Sequence, residues 1–175
     1  MGRKLVGNSG NDRIYTLDSL AESIVKYLNP VGKCFDPCAG KNAFVKAFKL
    51  NGNKTKWCEI DKDKDFFDCS YTSSEWIITN PPFSMIKKFL VHSMNLEVPN
   101  IAFLCTINAF WMNGKLDLIH RKGYAIKEII IVESPYFRKL NNWPQSGFSL
   151  GVTVMRKKKY RYPIKKELKI TYLDW

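Results

Sequence analysis

Residues 33–60 read KCFDPCAGKNAFVKAFKLNGNKTKWCEI, and this stretch decides the fold. Lys33 to Asp36 reads as a short strand that breaks at Asp36-Pro37-Cys38-Ala39-Gly40. Ala43, Phe44, Ala47 and Phe48 recur at helical spacing, which predicts a helix closed by Gly52. Lys54 to Ile60 then reads as a second strand. Strand, tight turn, helix and strand in that order form the repeating unit of a parallel sheet, because parallel neighbours need a crossover between them.

The same alternation extends in both directions. Upstream, Leu17, Leu20, Ala21, Ile24, Val25 and Leu28 form one apolar stripe at spacings of three and four. That predicts a helix over 16–28, with Thr16 as its N-cap and Pro30 stopping it. Downstream, Trp76 to Thr79 is a candidate buried strand ending in Asn80-Pro81-Pro82-Phe83. Met85, Ile86, Phe89 and Leu90 mark a helix, Ile101 to Thr106 another buried strand, and Leu116 to Arg121 a helix capped by Gly123. Ile126 to Val132 and Leu150 to Met155 are β-branched runs joined by a polar loop over 133–147, and their closeness predicts an antiparallel pair. The fold class is therefore α/β, an open sheet with helices on both faces.

The chain has 175 residues, 45% of them hydrophobic, which suits one domain with a real core. Ten glycines and eight prolines exclude collagen-like and low-complexity chains. No run of 18 apolar residues exists, so no membrane partner is expected. The polar, glycine-rich start, 1–12, lacks the apolar stretch of a signal peptide and reads as a loose arm, which makes cytoplasm (host cytoplasm if viral) the expected compartment. Lys and Arg number 28 against 16 Asp and Glu, a surplus of +12 that usually faces a polyanion. The tail from Arg156 to Lys169 holds eight basic residues and one acid, interleaved with Tyr160 and Tyr162, which suits nucleic acid as well as it suits a solvated last strand. Cys34, Cys38, Cys58, Cys69 and Cys105 are odd in number and irregular in spacing, so neither a disulfide framework nor a zinc site is expected and no metal is assigned.

Three motifs carry chemistry. Asp36-Pro37-Cys38-Ala39-Gly40 lies between a strand end and a helix, the edge where open α/β sheets bind ligands. Small residues there admit a ligand to the backbone, while Gly40-Lys41-Asn42 does not complete the G-x-G-x-x-G of nicotinamide or flavin sites. Glu59 closes the second strand, where an acid can accept from both hydroxyls of a ribose. Five of the sixteen acids fall within 59–68. Among these, Asp65 with Phe66 could accept from an adenine amino group and stack on its ring, with Asp61 and Asp63 as competitors. Asn80-Pro81-Pro82-Phe83 is the sharpest feature. Its prolines stiffen the backbone and remove two donors, leaving an acceptor-rich corner of the Asn80 side-chain oxygen and the Pro81 carbonyl. Such a corner suits an exocyclic amino group, whose lone pair it would localise, and Phe83 offers a flat face to the base. The same residues would also make a rigid turn around a buried phenylalanine.

The order of Thr16, DPCAG, the acidic segment with DFF and then ITNPPF resembles the amino-group DNA methyltransferases, especially small bacteriophage adenine-N6 enzymes, over most of residues 13–155. The resemblance implies a Rossmann-like S-adenosylmethionine-dependent methyltransferase fold, with a seven-stranded, mostly parallel sheet and an antiparallel C-terminal hairpin. It implies a catalytic domain over 13–156 and a basic tail or last strand over 157–175. The methyl donor it implies is S-adenosyl-L-methionine, with Tyr15, Thr16, Asp36, Pro37, Gly40, Glu59, Asp65 and Phe66 as cofactor contacts. Asn80, Pro81 and Phe83 would hold and activate the target adenine. Such families usually have a second glycine where Asn42 stands; Asn tolerates left-handed backbone better than other non-glycine residues. A separate target-recognition domain is missing, so selectivity would be low, limited to a short motif, or supplied by a partner subunit. Nucleic acid is the expected partner, DNA ahead of RNA. The competing readings are an RNA amino-group methyltransferase, a protein-glutamine methyltransferase, and a catalytically idle member that binds nucleic acid or a partner subunit.

Overall fold

A computed structural model describes residues 15–70, 72–111, 114–132, 149–158 and 168–173. The 1–12 arm, the 133–147 loop, and Tyr160 and Tyr162 of the basic tail lie outside the described residues. The elements run α1 (Asp18–Leu28), β1 (Cys34–Asp36), α2 (Ala43–Leu50), β2 (Thr55–Trp57), β3 (Trp76–Thr79), α3 (Ile86–Asn95), β4 (Asn100–Thr106), α4 (Lys115–Arg121), β5 (Tyr124–Ile131), β6 (Leu150–Lys157) and β7 (Lys169–Tyr172). Seven strands form one sheet in the order β2-β1-β3-β4-β6-β5-β7. All neighbours pair in parallel except β6, which is antiparallel to both β4 and β5. This is the expected seven-stranded, mostly parallel α/β sheet with its antiparallel hairpin.

The sheet is covered on both faces, which is why its central strands are apolar throughout. Side-chain alternation divides them between two cores. Ile78, Ala102, Leu104, Val152 and Ile130 meet Leu20, Ile24, Phe44 and Phe48 of α1 and α2. Ile77, Ile101, Phe103 and Phe35 meet Phe89 and Leu90 of α3 and Ile119 of α4. Each of these large apolar side chains contributes about 1.5–3 kcal/mol by leaving water, so the two cores fix the strand ends on which the site stands.

Several boundaries differ from the sequence expectation, each for a local reason. The first helix begins at Asp18 with Leu17 as N-cap, and no side chain caps it. Thr16 is engaged elsewhere, its hydroxyl accepting a hydrogen bond from Asn80 Nδ2 at 3.2 Å. The second strand ends at Trp57, and Glu59 instead opens a 3₁₀ turn over Ile60–Lys62. Another 3₁₀ turn, Phe83–Met85, precedes α3.

The strand β7 pairs with β5 at the sheet edge and is tied to α1 by a polar cluster. The Tyr27 hydroxyl donates to Glu128 Oε1 at 2.6 Å, Thr171 donates to the same oxygen at 3.0 Å, and Lys169 Nζ lies 3.0 Å from it. Burial alone would raise the Glu128 carboxyl, but the hydrogen bonds from Tyr27, Lys169 and Thr171 prevail and hold it below the usual range. No helix among the described residues is long and apolar enough to cross a membrane.

The chain leaves β1 through α2 toward β2, whereas it leaves β3 through α3 toward β4 on the other side. Connections that diverge in this way open a crevice at the carboxyl ends of the strands between them.

Candidate functional site

A cavity occupies that crevice. Six of the eleven residues singled out in the sequence line it: Tyr15, Thr16, Asp36, Gly40, Glu59 and Asn80. They arrive from four separate parts of the chain, since Tyr15 and Thr16 precede α1, Asp36 and Gly40 belong to the passage from β1 to α2, Glu59 follows β2 and Asn80 follows β3.

The turn after β1 is held by backbone and carboxylate contacts. Ala39 N–H donates to the Cys58 carbonyl at 2.9 Å, and Cys58 N–H donates to the Asp36 carbonyl at 2.9 Å, so the ends of β1 and β2 move as one piece. Gly40 N–H donates to Glu59 Oε2, and Asp61 N–H donates to Glu59 Oε1 at 3.3 Å. These bonds orient the Glu59 carboxylate at the cavity wall, and each oxygen keeps further acceptor capacity. Gly40 has φ +49°, and a Cβ there would stand 3.0 Å from Tyr15 Cδ1. Only glycine lets the Tyr15 ring and the turn approach this closely. Lys41 Nζ lies 4.8 Å from the centre of that ring, on the cavity rim.

Asp36 is 1% exposed. Its Oδ1 accepts from the Thr79 hydroxyl at 2.7 Å and from Cys38 N–H at 3.2 Å. Burial pushes the carboxyl up to about 7, with the two hydrogen bonds opposing and the nearby Glu59 adding to the rise. A carboxyl poised there ionises readily when a cation enters the cavity. The Cys38 thiol also lines the cavity, and burial followed by the charges of Asp36, Glu59 and Asp61 pushes it well above the usual thiol range. It stays protonated, which disqualifies it as a nucleophile.

Asn80 follows directly on β3, and its amide nitrogen donates to Thr16 Oγ1. That contact anchors the Asn80 side chain by its nitrogen. Pro82 lines the cavity, whereas Pro81 is buried and outside the lining. Phe83 is half-buried, packs against both cores and does not line the cavity.

Three cofactor candidates stand apart from the cavity wall. Pro37 is buried in the turn. Phe66 is 2% exposed and packs edge-on to Phe35 and face-to-face with Phe89, so its ring is spent on the core rather than offered to a ligand. Asp65 caps the 3₁₀ turn Phe66–Asp68 by accepting from Phe67 N–H at 2.9 Å. In their place Ile60 and Asp61 reach the cavity. Asp61 was one of the alternatives open in the sequence, and Ile60 was signalled by its place beside Glu59 and its apolar character among acids. Phe44 and Ala43 come from the first turn of α2, and neither has a chemical motif to announce it.

Asn42 occupies the position of the missing glycine with φ +66°, ψ +25°, the left-handed geometry that a glycine would take. Its N–H donates to the Ala39 carbonyl at 2.6 Å, closing the turn. Replacing Asn42 by alanine is expected to cost about 1 kcal/mol in folding free energy, because Ala tolerates this region less well than Asn. Asn42→Gly is expected to stay within about 0.5 kcal/mol of the parent, as read from denaturant midpoints. Equal losses for both variants would mean that the side chain, not the backbone, matters here.

No protein-family model matches the chain, and no curated protein matches it in sequence. Solved structures do match in fold. A candidate class I S-adenosylmethionine-dependent methyltransferase from Listeria monocytogenes superposes with a TM-score of 0.58 at 13% identity, over 96% of this chain and 68% of that one. A candidate RNA methyltransferase from Pyrococcus horikoshii gives 0.62 at 13% identity, over 81% and 83% of the two chains. A candidate hemolysin from Lactococcus lactis gives 0.57 at 10% identity, over 88% and 93%. The fold is thus the Rossmann-like α/β fold shared with such methyltransferases.

Proposed function

We propose that the chain is an S-adenosylmethionine-dependent methyltransferase acting on an exocyclic amino group of a nucleic-acid base, with adenine N6 in DNA as the acceptor. One observation carries the reading: the Asn80 amide shares a single cavity with Asp36, Gly40 and Glu59 at the carboxyl edge of the sheet. The donor pocket and the amine-binding corner are then adjacent, as direct transfer requires.

The residues present fit such a donor. Gly40, whose missing Cβ leaves the turn open, lets a ligand approach the backbone. Glu59 presents an oriented carboxylate to ribose hydroxyls, and Asp36 sets a buried negative charge against a cation. When bound, the donor supplies a methyl group on a positively charged sulfur. Asn80 Oδ1, from the one residue of the acceptor pair that lines the cavity, accepts from an amino hydrogen and draws the nitrogen toward tetrahedral geometry. Phe83, packed against both cores behind the lining, braces the Asn80 corner rather than touching the base. Catalysis rests on positioning and preorganised acceptors, with no covalent enzyme intermediate.

Thr16 positions Asn80. Thr16→Val is expected to lower the single-turnover rate about tenfold, since one hydrogen bond of about 1–1.5 kcal/mol is lost from a group that must stay aligned. Thr16→Ser should restore the rate. A Thr16→Val variant that loses donor affinity and keeps its rate would assign Thr16 to the donor alone.

The reading is tested by methyl transfer from labelled S-adenosylmethionine to defined DNA, RNA and protein pools. Label on DNA adenine supports it. The Pyrococcus neighbour, a candidate RNA methyltransferase, gives the second reading its observation, and label on RNA alone would replace DNA by RNA as acceptor. No label in any pool, with no thermal stabilisation by the donor, would leave an idle fold.

A further inference from the structure

A second concavity begins where the Asn-Pro-Pro-Phe corner ends. The described residues of the connection from β2 to β3 form two 3₁₀ turns and no α-helix, and a groove opens along one flank of α3. The resulting groove has a volume of about 690 Å³, within the range of ligand sites. Its floor is apolar, made by Phe67, Met85 and Val91, and its wall carries the exposed Lys87 and Lys88. Phe67 is half-buried, braced edge-on by Phe89 at 5.2 Å between ring centres. Asp65 adds one carboxylate, already oriented by its bond from Phe67 N–H.

The two lysines are costly where they stand. They lie in the first turn of α3, which has no acidic residue and no side-chain cap, and neither lysine has an ion-pair partner among the described residues. Cations at the positive end of a helix are disfavoured, and acids are the residues that stabilise it. Their placement is mildly unfavourable for the helix and well suited to an anionic ligand.

We propose that this groove holds the nucleotides flanking the target base as a single-stranded nucleic-acid chain. The occupant follows from charge and from continuity. Ser84 and Met85, which line the groove, directly follow the Asn80–Phe83 corner in the chain, so the groove and its lysines offer a course for a polymer whose target base reaches Asn80. Phosphates meet Lys87 and Lys88, a base lies on the apolar floor against Phe67, and the Asp65 carboxylate accepts from a base amino group. Grooves that combine cations with an aromatic floor bind single strands with little sequence preference. The inference rests on the proposed function for the direction in which the strand runs, while the groove itself is tested without methyl transfer.

The experiment measures binding of a fluorescent single-stranded oligonucleotide by anisotropy over a salt series. Lys87→Glu/Lys88→Glu is expected to weaken binding at least roughly tenfold and to flatten the logarithmic salt slope by about two. The same variant should melt a few degrees higher, because acids replace cations at a helix N-terminus. Lys26→Glu/Lys49→Glu, on helices of the opposite face, makes the same change in net charge and should leave binding within about twofold. Equal losses in both double variants, or an unchanged slope in the first, would overturn the groove. A parent protein that binds through Lys87 and Lys88 yet labels no nucleic acid would keep the groove and sink the proposed function.

Discussion

Replacing Asn80 by alanine is expected to slow methyl transfer about a hundredfold while donor affinity stays within about twofold. The amino nitrogen of a base is a weak nucleophile because its lone pair belongs to the ring. In the proposed reaction Asn80 Oδ1 would accept one amino hydrogen as that lone pair localises, so its contact would be worth more in the transition state than before it. Losing one preorganised contact of this kind costs on the order of 3 kcal/mol, or about two decades in rate. Asn80→Asp is a sharper version: it keeps an acceptor but loses the donor that binds Thr16 Oγ1 at 3.2 Å, and it should fall between parent and alanine. Rapid-quench single turnovers read the chemical step apart from binding. An alanine variant as fast as the parent would remove Asn80 from the chemistry.

Asp36→Asn is expected to make the protein more stable and the donor site weaker at once. The Asp36 carboxyl sits at about 7 chiefly because burial penalises its charge, against an ordinary value of 3.8. Between these two values the folded chain binds more protons than the unfolded one, so stability falls as pH rises through the window and the full cost is present above it. Asparagine escapes that cost and still accepts from Thr79 and Cys38. Linkage over this window sets an upper bound of about 4 kcal/mol on the gain at pH 8, lowered by the burial of the new amide's N–H groups; it is read from urea midpoints and should vanish below about pH 4. The cost of keeping the charge is consistent with a task for it. In the parent, affinity for a cationic donor should climb between about pH 6 and pH 8 as Asp36 ionises, and Asp36→Asn should be weaker by tenfold or more with a flat profile. Calorimetric titrations at three pH values decide this. A variant with both greater stability and undiminished, pH-independent affinity would assign the carboxylate no part in donor binding.

Much of this architecture was legible in the residues themselves. The apolar run Trp76–Thr79, a candidate buried strand, coincides with β3 to the residue, because a four-residue apolar run stopped by Asn-Pro is too short for a helix. The two β-branched runs pair antiparallel as β5 and β6, as their closeness suggests. What the sequence could not disclose depended on contacts between distant segments. Thr16 carries the signature of an N-cap, yet its hydroxyl serves Asn80, 64 positions away. Phe66 has the chemistry to stack on a base, but the nearness of Phe35 and Phe89 claims its ring for the core. Pro37 and Pro81 sit at the strand ends where their motifs place them, but both are buried and stand outside the cavity lining. A motif fixes which residue types gather at a strand end; which of them turn toward the ligand is decided by packing.

Phe83 packs against both hydrophobic cores, one on each side of the sheet. It behaves as a rivet through two plates: trimming either layer lets the acceptor corner tilt, even where the rest of the molecule adjusts without unfolding. Methyl-transfer rate should therefore be the most sensitive gauge of conservative repacking deep in either layer, registering defects that melting curves pass over.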